Sequence, residues 1–430
     1  MTCVRDHLCT GRKKLPEAVN TTMIVTISPS KAYGRMEAPP SKSMANRFLI
    51  CAGCAQGTSV ISNIDLSGDI AATMDCLQAL GAKVVFENRS VTIRGIDIRA
   101  LSQSAGLNCA ECGSTLRFMI PICLMSGQPC ELTGSHTLFS RPLTVFEDIC
   151  KKQNLTYEKK GNHLLLAGRL RPGEYVVQGN ISSQFVSGLL FVLPLLQEDS
   201  VIRLLPPVVS RPYIDMTIQA LQQFGVRVSW MDETVIRIPG GQKYLPQEKL
   251  YVEGDYSNAA VFDSFNLLGG DVGLDGLNED SLQGDRIYRR YFQQLQAGYA
   301  DIDLSDCPDL GPVLMALAAA LHGARFTGTG RLKFKESDRV AAMQQELGKM
   351  KVRMEVFGDE IRIDPGLQPP REMLDGHNDH RIVMALSVLL TVTGGRIRGA
   401  QAVSKSLPGF FERLKYLGIG VMVDETDQQG

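Results

Sequence analysis

"TIQALQQFGVRVSWMDETVIRIPG", residues 217–240, reads as an amphipathic helix that ends at Gly225, followed by a strand, a tight turn and a second strand. The order recurs in "DCLQALGAKVVFENRSVTIRG" (75–95), "FEDICKKQNLTYEKKGNHLLLAG" (146–168) and "AAMQQELGKMKVRMEVFGDEIRIDPG" (341–366). It returns in "RRYFQQLQAGYADIDL" (289–304) and "FFERLKYLGIGVMVDE" (410–425). Taken at the helix ends Gly81, Asn154, Gly225, Gly298, Lys351 and Gly418, the steps are 73, 71, 73, 53 and 67 residues. Such an interval suits a whole folding unit of helices and strands and is too long for a solenoid repeat. Helix, cap and hairpin are generic parts of any α/β protein, but six copies in one chain predict repeated units, three to a half.

Two crossovers are predicted. One lies near "YVEGDYSNAA" (251–260), where a Gly-Asp-Tyr-Ser turn interrupts a strand and opens an apolar helix. The other is Pro39-Pro40, a pair that removes backbone donors and stiffens the connection. The expected division is 41–252 as one α/β domain, with 23–40 joined to 253–430 as the other. Residues 1–22 show neither an apolar core nor helical periodicity and are expected to be a disordered extension. A start at Met23, or a short transit peptide, are the two readings of that stretch.

The chain has 430 residues with 44% apolar, 21% charged and a formal net charge of −1. That balance argues against a membrane span and against a general nucleic-acid binder, so any anion recognition must be local. Eleven cysteines without a secretory signal fit a reducing, cytoplasmic compartment better than a disulfide framework.

Polar clusters precede apolar helices throughout. In "PSKSMANR" a serine caps the helix start, whose dipole favours an anion, while Ser43 and Arg47 share one face and Lys42 stands at the lip. If Arg47 serves a ligand alone, Arg47→Ala is expected to leave the melting temperature nearly intact. "CGSTLRF" (112–118) offers Gly113 for close backbone approach and Arg117. "GNISSQF" (179–185) carries Ser182, Ser183 and Gln184, and "VVSRPYID" (208–215) carries Ser210 and Tyr213. In the second half stand Asp309, the run Lys335, Glu336 and Arg339, the run Asp379, His380 and Arg381, and Lys405. Runs of this kind are commonly solvated helix faces; the alternative is a cationic clamp around a carboxylate whose pKa its neighbours adjust. Cys51/Cys54 with Cys109/Cys112, or His377 and His380 with Asp375, are weak metal candidates, and no Walker or dinucleotide motif appears.

In their order, "PSKSMANR", "CGSTLRF", "SRPL", "GNISSQF", "SRPYID", "CPD", "KESDR", "NDHR" and "SKSLPGFF" resemble the 5-enolpyruvylshikimate-3-phosphate synthases, the 3-phosphoshikimate 1-carboxyvinyltransferases. The resemblance implies two domains, each of three βαβαββ units (an inside-out α/β barrel), with the active site between them. It implies addition of the 5-hydroxyl of shikimate-3-phosphate to phosphoenolpyruvate and loss of phosphate from a tetrahedral intermediate, with no metal or cofactor. Shikimate-3-phosphate would meet Lys42, Ser43, Arg47, Ser182, Ser183, Gln184, Ser210, Tyr213, Asp309 and Lys335. Phosphoenolpyruvate would meet Lys42, Gly113, Arg141, Gln184, Arg339, Arg381 and Lys405. Asp309 would be the base and Glu336 the proton donor, with Lys42 and His380 sharing the proton traffic and Arg117 nearby. The chain departs from the commonest pattern at Pro40, Glu111-Cys112, Phe118, Arg331 and Lys333. Two other readings are the sister transferase acting on UDP-N-acetylglucosamine and a non-catalytic anion-binding relative. A monomer without nucleic-acid or membrane partners is expected.

Overall fold

The computed structural model describes residues 21–427, so the expectations for residues 1–20 lie outside the described residues. Thr21 and Thr22, counted above with the extension, open the strand Thr21–Ile27. The strands form six sheets, five of four strands and one of two. In the sheet that contains the opening stretch, Glu174–Gln178 runs parallel to Ser200–Leu205, which pairs antiparallel with Val235–Ile238; Ser229–Trp230 completes the hairpin. The other four-stranded sheets repeat the plan of a parallel pair carrying an antiparallel ladder.

The 53-residue step has a structural cause. After the helix Tyr288–Ala297 no hairpin follows; Ala300–Asp303 instead pairs in parallel with Ala324–Thr327 and opens the next sheet. The fourth unit therefore keeps only Asp271–Asp275 paired with Tyr33–Glu37. The expected second strand is absent from the copy at 289–304 because the chain passes directly into the fifth unit. The last copy borrows its hairpin partner: Val421–Asp427 pairs antiparallel with the N-terminal strand Thr21–Ile27. Asn154 and Lys351 replace glycine at two helix ends, and both take the left-handed conformation, at φ 54° and 59°.

The sheets lie outside and the apolar helices inside. Ser183–Val192, Gly311–Ala320 and His380–Thr393 are buried along nearly their whole length, which only an almost continuous apolar sequence permits. Buried apolar side chains fall into two clusters, one drawn from residues 44–252 and the other from 25–32 and 256–419. Between them the two crossing segments pair with each other: Ser41 N donates to Glu253 O at 2.8 Å and Asp255 N to Pro39 O at 2.7 Å. The mixed α/β fold thus has two similar halves whose inner helices start at one shared cleft. No helix among the described residues is long and apolar enough to cross a membrane.

Candidate active site

The cleft holds a cavity of about 850 Å³ lined from both halves. Helix starts furnish much of its wall. Lys42–Cys54 brings Lys42, Ser43 and Arg47; Gly113–Cys123 brings Gly113 and Arg117; Ser183–Val192 brings Ser183 and Gln184, with Ser182 as its cap. Unpaired N–H groups and the positive dipole end face the space, a setting suited to anions. Ser41, not Ser43, caps the first helix, accepting from Met44 N at 3.3 Å, which leaves the Ser43 hydroxyl facing the cavity.

Arg47 is 3% exposed. Its Nε donates to Thr217 Oγ1 at 2.8 Å, Nη1 to Ser43 O at 2.8 Å and Nη2 to Tyr213 O at 2.8 Å, and its guanidinium lies 5.8 Å from the centre of the Phe118 ring. Every partner is neutral, and burial pushes Arg47 down to about 10. Its removal would break three buried hydrogen bonds, although Tyr213 O still accepts from Thr217 Oγ1 at 2.9 Å and Thr217 Oγ1 still meets Ser187 Oγ at 2.7 Å, so the expectation of an untouched melting temperature gives way to a mixed one. Arg117 is similar: Nη1 donates to Gln184 Oε1 at 2.8 Å, the group stacks on Phe185, and burial together with Arg141 lowers it to about 10. Gly113 makes this convergence possible. A Cβ there would stand 2.8 Å from Arg141 Nη1 and 3.0 Å from Arg117 Nη1.

The opposite wall is built on Arg339, 1% exposed. Its Nη1 donates to Asp309 Oδ1 at 3.0 Å, Nη2 to Glu336 Oε2 at 2.7 Å and Nε to Asp379 Oδ2 at 2.8 Å. Lys335 Nζ reaches Asp309 Oδ1 at 3.2 Å, and Arg141 crosses from the other half to Glu336 Oε1 at 3.6 Å. Burial would raise both carboxyls, but Lys335, Arg339 and Arg381 hold Asp309, and Arg339, Arg141 and Lys335 hold Glu336, well below the usual carboxylate range. Lys42 donates to Asp69 Oδ2 at 2.6 Å; burial opposes its charge, yet Asp69, Cys112 and Glu336 raise its pKa. His380 is buried beside Lys42 and Arg381 and is held neutral; its Nδ1 makes no hydrogen bond and lies 3.9 Å from Asp379 Oδ1.

The sequence of residues 27–414 matches the family model for EPSP synthase (3-phosphoshikimate 1-carboxyvinyltransferase). The chain belongs to the EPSP synthase family. It is 39% identical over 427 residues to the 3-phosphoshikimate 1-carboxyvinyltransferase of Clostridium perfringens strain ATCC 13124, covering 93% of this chain and 99% of that one. It is 38% identical over 420 residues to that of Clostridium kluyveri, covering 92% and 97%. Its fold is similar to the 2.37 Å structure of EPSP synthase from Acinetobacter baumannii, with a TM-score of 0.74, 21% identity, and coverage of 94% of this chain and 100% of that one.

Of the residues named from the sequence, Arg381 and Lys405 are not in the cavity lining. Arg381 lies beneath it, donating from Nη1 to Asn258 Oδ1 at 3.0 Å and from Nη2 to Ser257 Oγ. Lys405 stands at the rim, ion-paired with Glu111 across the cleft and donating to Asn378 O at 2.7 Å. The metal candidates are not brought together: no group of three or more His, Cys, Asp or Glu able to hold a metal occurs among the described residues. Cys51 and Cys54 are buried in their helix, and His377 faces Glu346 Oε1 at 2.8 Å instead of His380. Sequence reasoning missed Asp69 and Asp285, and named Glu111 only as a departure from the family pattern without its ion pair; each pairs with a named residue from a distant segment.

Proposed function

We propose that this chain joins the enolpyruvyl group of phosphoenolpyruvate to the 5-hydroxyl of shikimate-3-phosphate in the cleft cavity, releasing phosphate through a tetrahedral intermediate. The family's activity is enolpyruvyl transfer in the shikimate pathway, and as a member this chain is a transferase acting on small molecules. One observation supports placing the reaction here. Buried cations from both halves face a single cavity, and its two carboxylates, Asp309 and Glu336, are held ionised by those cations.

Two substrates carrying two phosphates and two carboxylates repel each other; unit charges about 4 Å apart at an effective dielectric of about 20 interact by roughly 4 kcal/mol. Arg47, Ser43, Ser182, Ser183, Gln184, Ser210, Tyr213 and Lys335 hold shikimate-3-phosphate. Arg141, Arg339, Arg381, Lys405, Gln184 and the backbone at Gly113 hold phosphoenolpyruvate. Lys42 touches both. When phosphoenolpyruvate draws Arg339 and Arg141 toward itself, Asp309 and Glu336 lose counter-charge and their proton affinities rise. Asp309 then removes the proton of the 5-hydroxyl, and Glu336, having taken a proton from water as its counter-charge is drawn away, delivers it to the methylene carbon; as phosphate leaves the tetrahedral intermediate, Glu336 takes a proton back from the methyl group. Lys42 and His380 assist in the proton traffic, and Arg117 holds Gln184. We also propose the domain division 23–40 with 253–430 against 41–252, a monomer, and a cytoplasmic location.

The purified chain is expected to release phosphate from phosphoenolpyruvate only when shikimate-3-phosphate is present. Release driven equally well by UDP-N-acetylglucosamine would transfer the reading to the sister enzyme. No release with either acceptor would leave a non-catalytic binder.

A further inference from the structure

Tyr213 and Asp285 meet across the cleft. Tyr213 comes from the helix Arg211–Gln223 of one half, Asp285 from the turn Gly284–Ile287 of the other, and the phenol donates to Asp285 Oδ2 at 2.8 Å. Asp285 is 3% exposed, and its Oδ1 has no hydrogen-bond partner. A phenol has one proton to give, and an ionised carboxylate can only accept. While Asp285 is ionised, Tyr213 must therefore donate to it and can present only lone pairs toward the substrate, the wrong polarity for an oxyanion.

We propose that Asp285 takes up a proton when shikimate-3-phosphate binds, so that the neutral carboxyl donates to Tyr213 Oη and Tyr213 turns its own O–H onto an oxyanion of the substrate. The proton comes from water, and no covalent bond of the substrate changes. This rests on the proposed function, which makes Tyr213 a shikimate-3-phosphate contact. It makes Asp285 a positioning residue, acting through Tyr213.

The surroundings favour the exchange. The groups acting most strongly on Asp285 are Asp309, Tyr213, Arg381 and Asp255, with Cys307 beside it as a thiol that burial keeps neutral, so the guanidinium of Arg381 stands against two carboxylates and a phenol. Burial first, and then the charge on Asp309, push the Asp285 carboxyl up to about 7, which leaves both forms accessible near neutral pH. An arriving substrate anion adds negative charge beside it and tilts the balance further toward the protonated form. Protonation also sacrifices no bond at Oδ1, which has none.

The test is calorimetric titration of shikimate-3-phosphate at pH 7.5 in buffers of different ionisation enthalpy, comparing wild type, Asp285→Asn and Tyr213→Phe. Proton exchange by the substrate phosphate itself is common to all three and cancels. Wild type is expected to take up about half a proton to one proton more per substrate than either variant. Its affinity should fall as pH rises from 6 to 8 more steeply than that of Asp285→Asn. Equal proton uptake in wild type and Tyr213→Phe overturns the inference, whether or not Asp285→Asn folds. A wild-type chain that binds no shikimate-3-phosphate overturns the proposed function and this inference together, an outcome distinct from binding without the proton difference.

Discussion

Arg47 and Arg339 are both buried arginines facing the same cavity, but their charges are balanced in opposite ways. Arg339 is surrounded by Asp309, Glu336 and Asp379, which raise its pKa despite burial. Arg47 has only carbonyls, a hydroxyl and a phenylalanine ring, and is depressed to about 10. Burying a charge without a counter-charge is costly unless something arrives to balance it. The Arg47 wall is therefore built for an anion that is not part of the protein, whereas the Arg339 wall must exchange internal partners for an external one. On the proposed assignment of the substrates to these walls the difference predicts an order: shikimate-3-phosphate can enter a waiting site, and phosphoenolpyruvate must compete with Asp309 and Glu336.

The largest effect should follow from breaking the balanced wall. Arg339→Met leaves three carboxylates without their shared cation, and removing one partner of a buried charge cluster costs about 3–5 kcal/mol. Denaturant unfolding should record that loss, together with loss of turnover. A change below about 1 kcal/mol would show that the cluster does not depend on Arg339. Next in size, Asp309→Asn keeps the shape but removes the proposed base, and is expected to lower turnover by about 10²–10⁴ with a much smaller change in shikimate-3-phosphate affinity. Near-normal steady-state turnover would remove Asp309 from the mechanism.

Arg47→Met probes the unbalanced wall. Here the loss should fall on binding, about 1.5–3 kcal/mol for each charge-assisted hydrogen bond to the substrate, while stability suffers less than in Arg339→Met because a buried, uncompensated charge is removed along with its bonds. Calorimetry and unfolding on the same preparation separate the two.

How far the sequence carried this comparison depends on how local each feature is. The repeated units were readable because helix period, end signal and hairpin alternation sit within about 25 consecutive residues, and even the missing fourth hairpin left its mark as the short step between Gly298 and Lys351. Arg47 and Ser43 could be placed on one helix face by their spacing. The balance of charge could not. "KESDR" holds Lys335, Glu336 and Arg339, yet Asp379 reaches Arg339 from 40 residues away and Asp309 from 30. Asp69, in the first turn of the helix Gly68–Ala79, and Asp285, in the turn Gly284–Ile287, belong to no motif that singled them out. Only the fold puts Asp69 on Lys42 and Asp285 on Tyr213.

The two kinds of carboxyl should also respond to pH with opposite sign. Asp309 and Glu336 are depressed in the folded protein, so the stability they contribute is present above the unfolded carboxylate range and is lost as pH falls below about 4. Asp285 is raised to about 7, so the folded protein binds its proton more tightly than the unfolded chain. Stability from that group therefore declines as pH rises from about 4 to about 7. Asp285→Asn should flatten this decline, measured as the melting-temperature difference from wild type at pH 5 and pH 8; an equal difference at both would place its pKa elsewhere. The smallest effect is expected at the rim. Arg413 Nη2 meets Asp65 Oδ2 at 2.9 Å between the two halves, and losing such a partly exposed pair through Arg413→Ala should cost no more than about 1 kcal/mol in denaturant unfolding. A loss well above that would show that the pair is not one of the weak, solvent-screened kind.

Calorimetric titration of each substrate, alone and with the other present, tests the asymmetry of the two walls most directly. Shikimate-3-phosphate should bind the free protein by itself, and phosphoenolpyruvate should bind weakly until the first substrate is in place. Tight binding of phosphoenolpyruvate alone, with shikimate-3-phosphate binding only afterwards, would contradict the account.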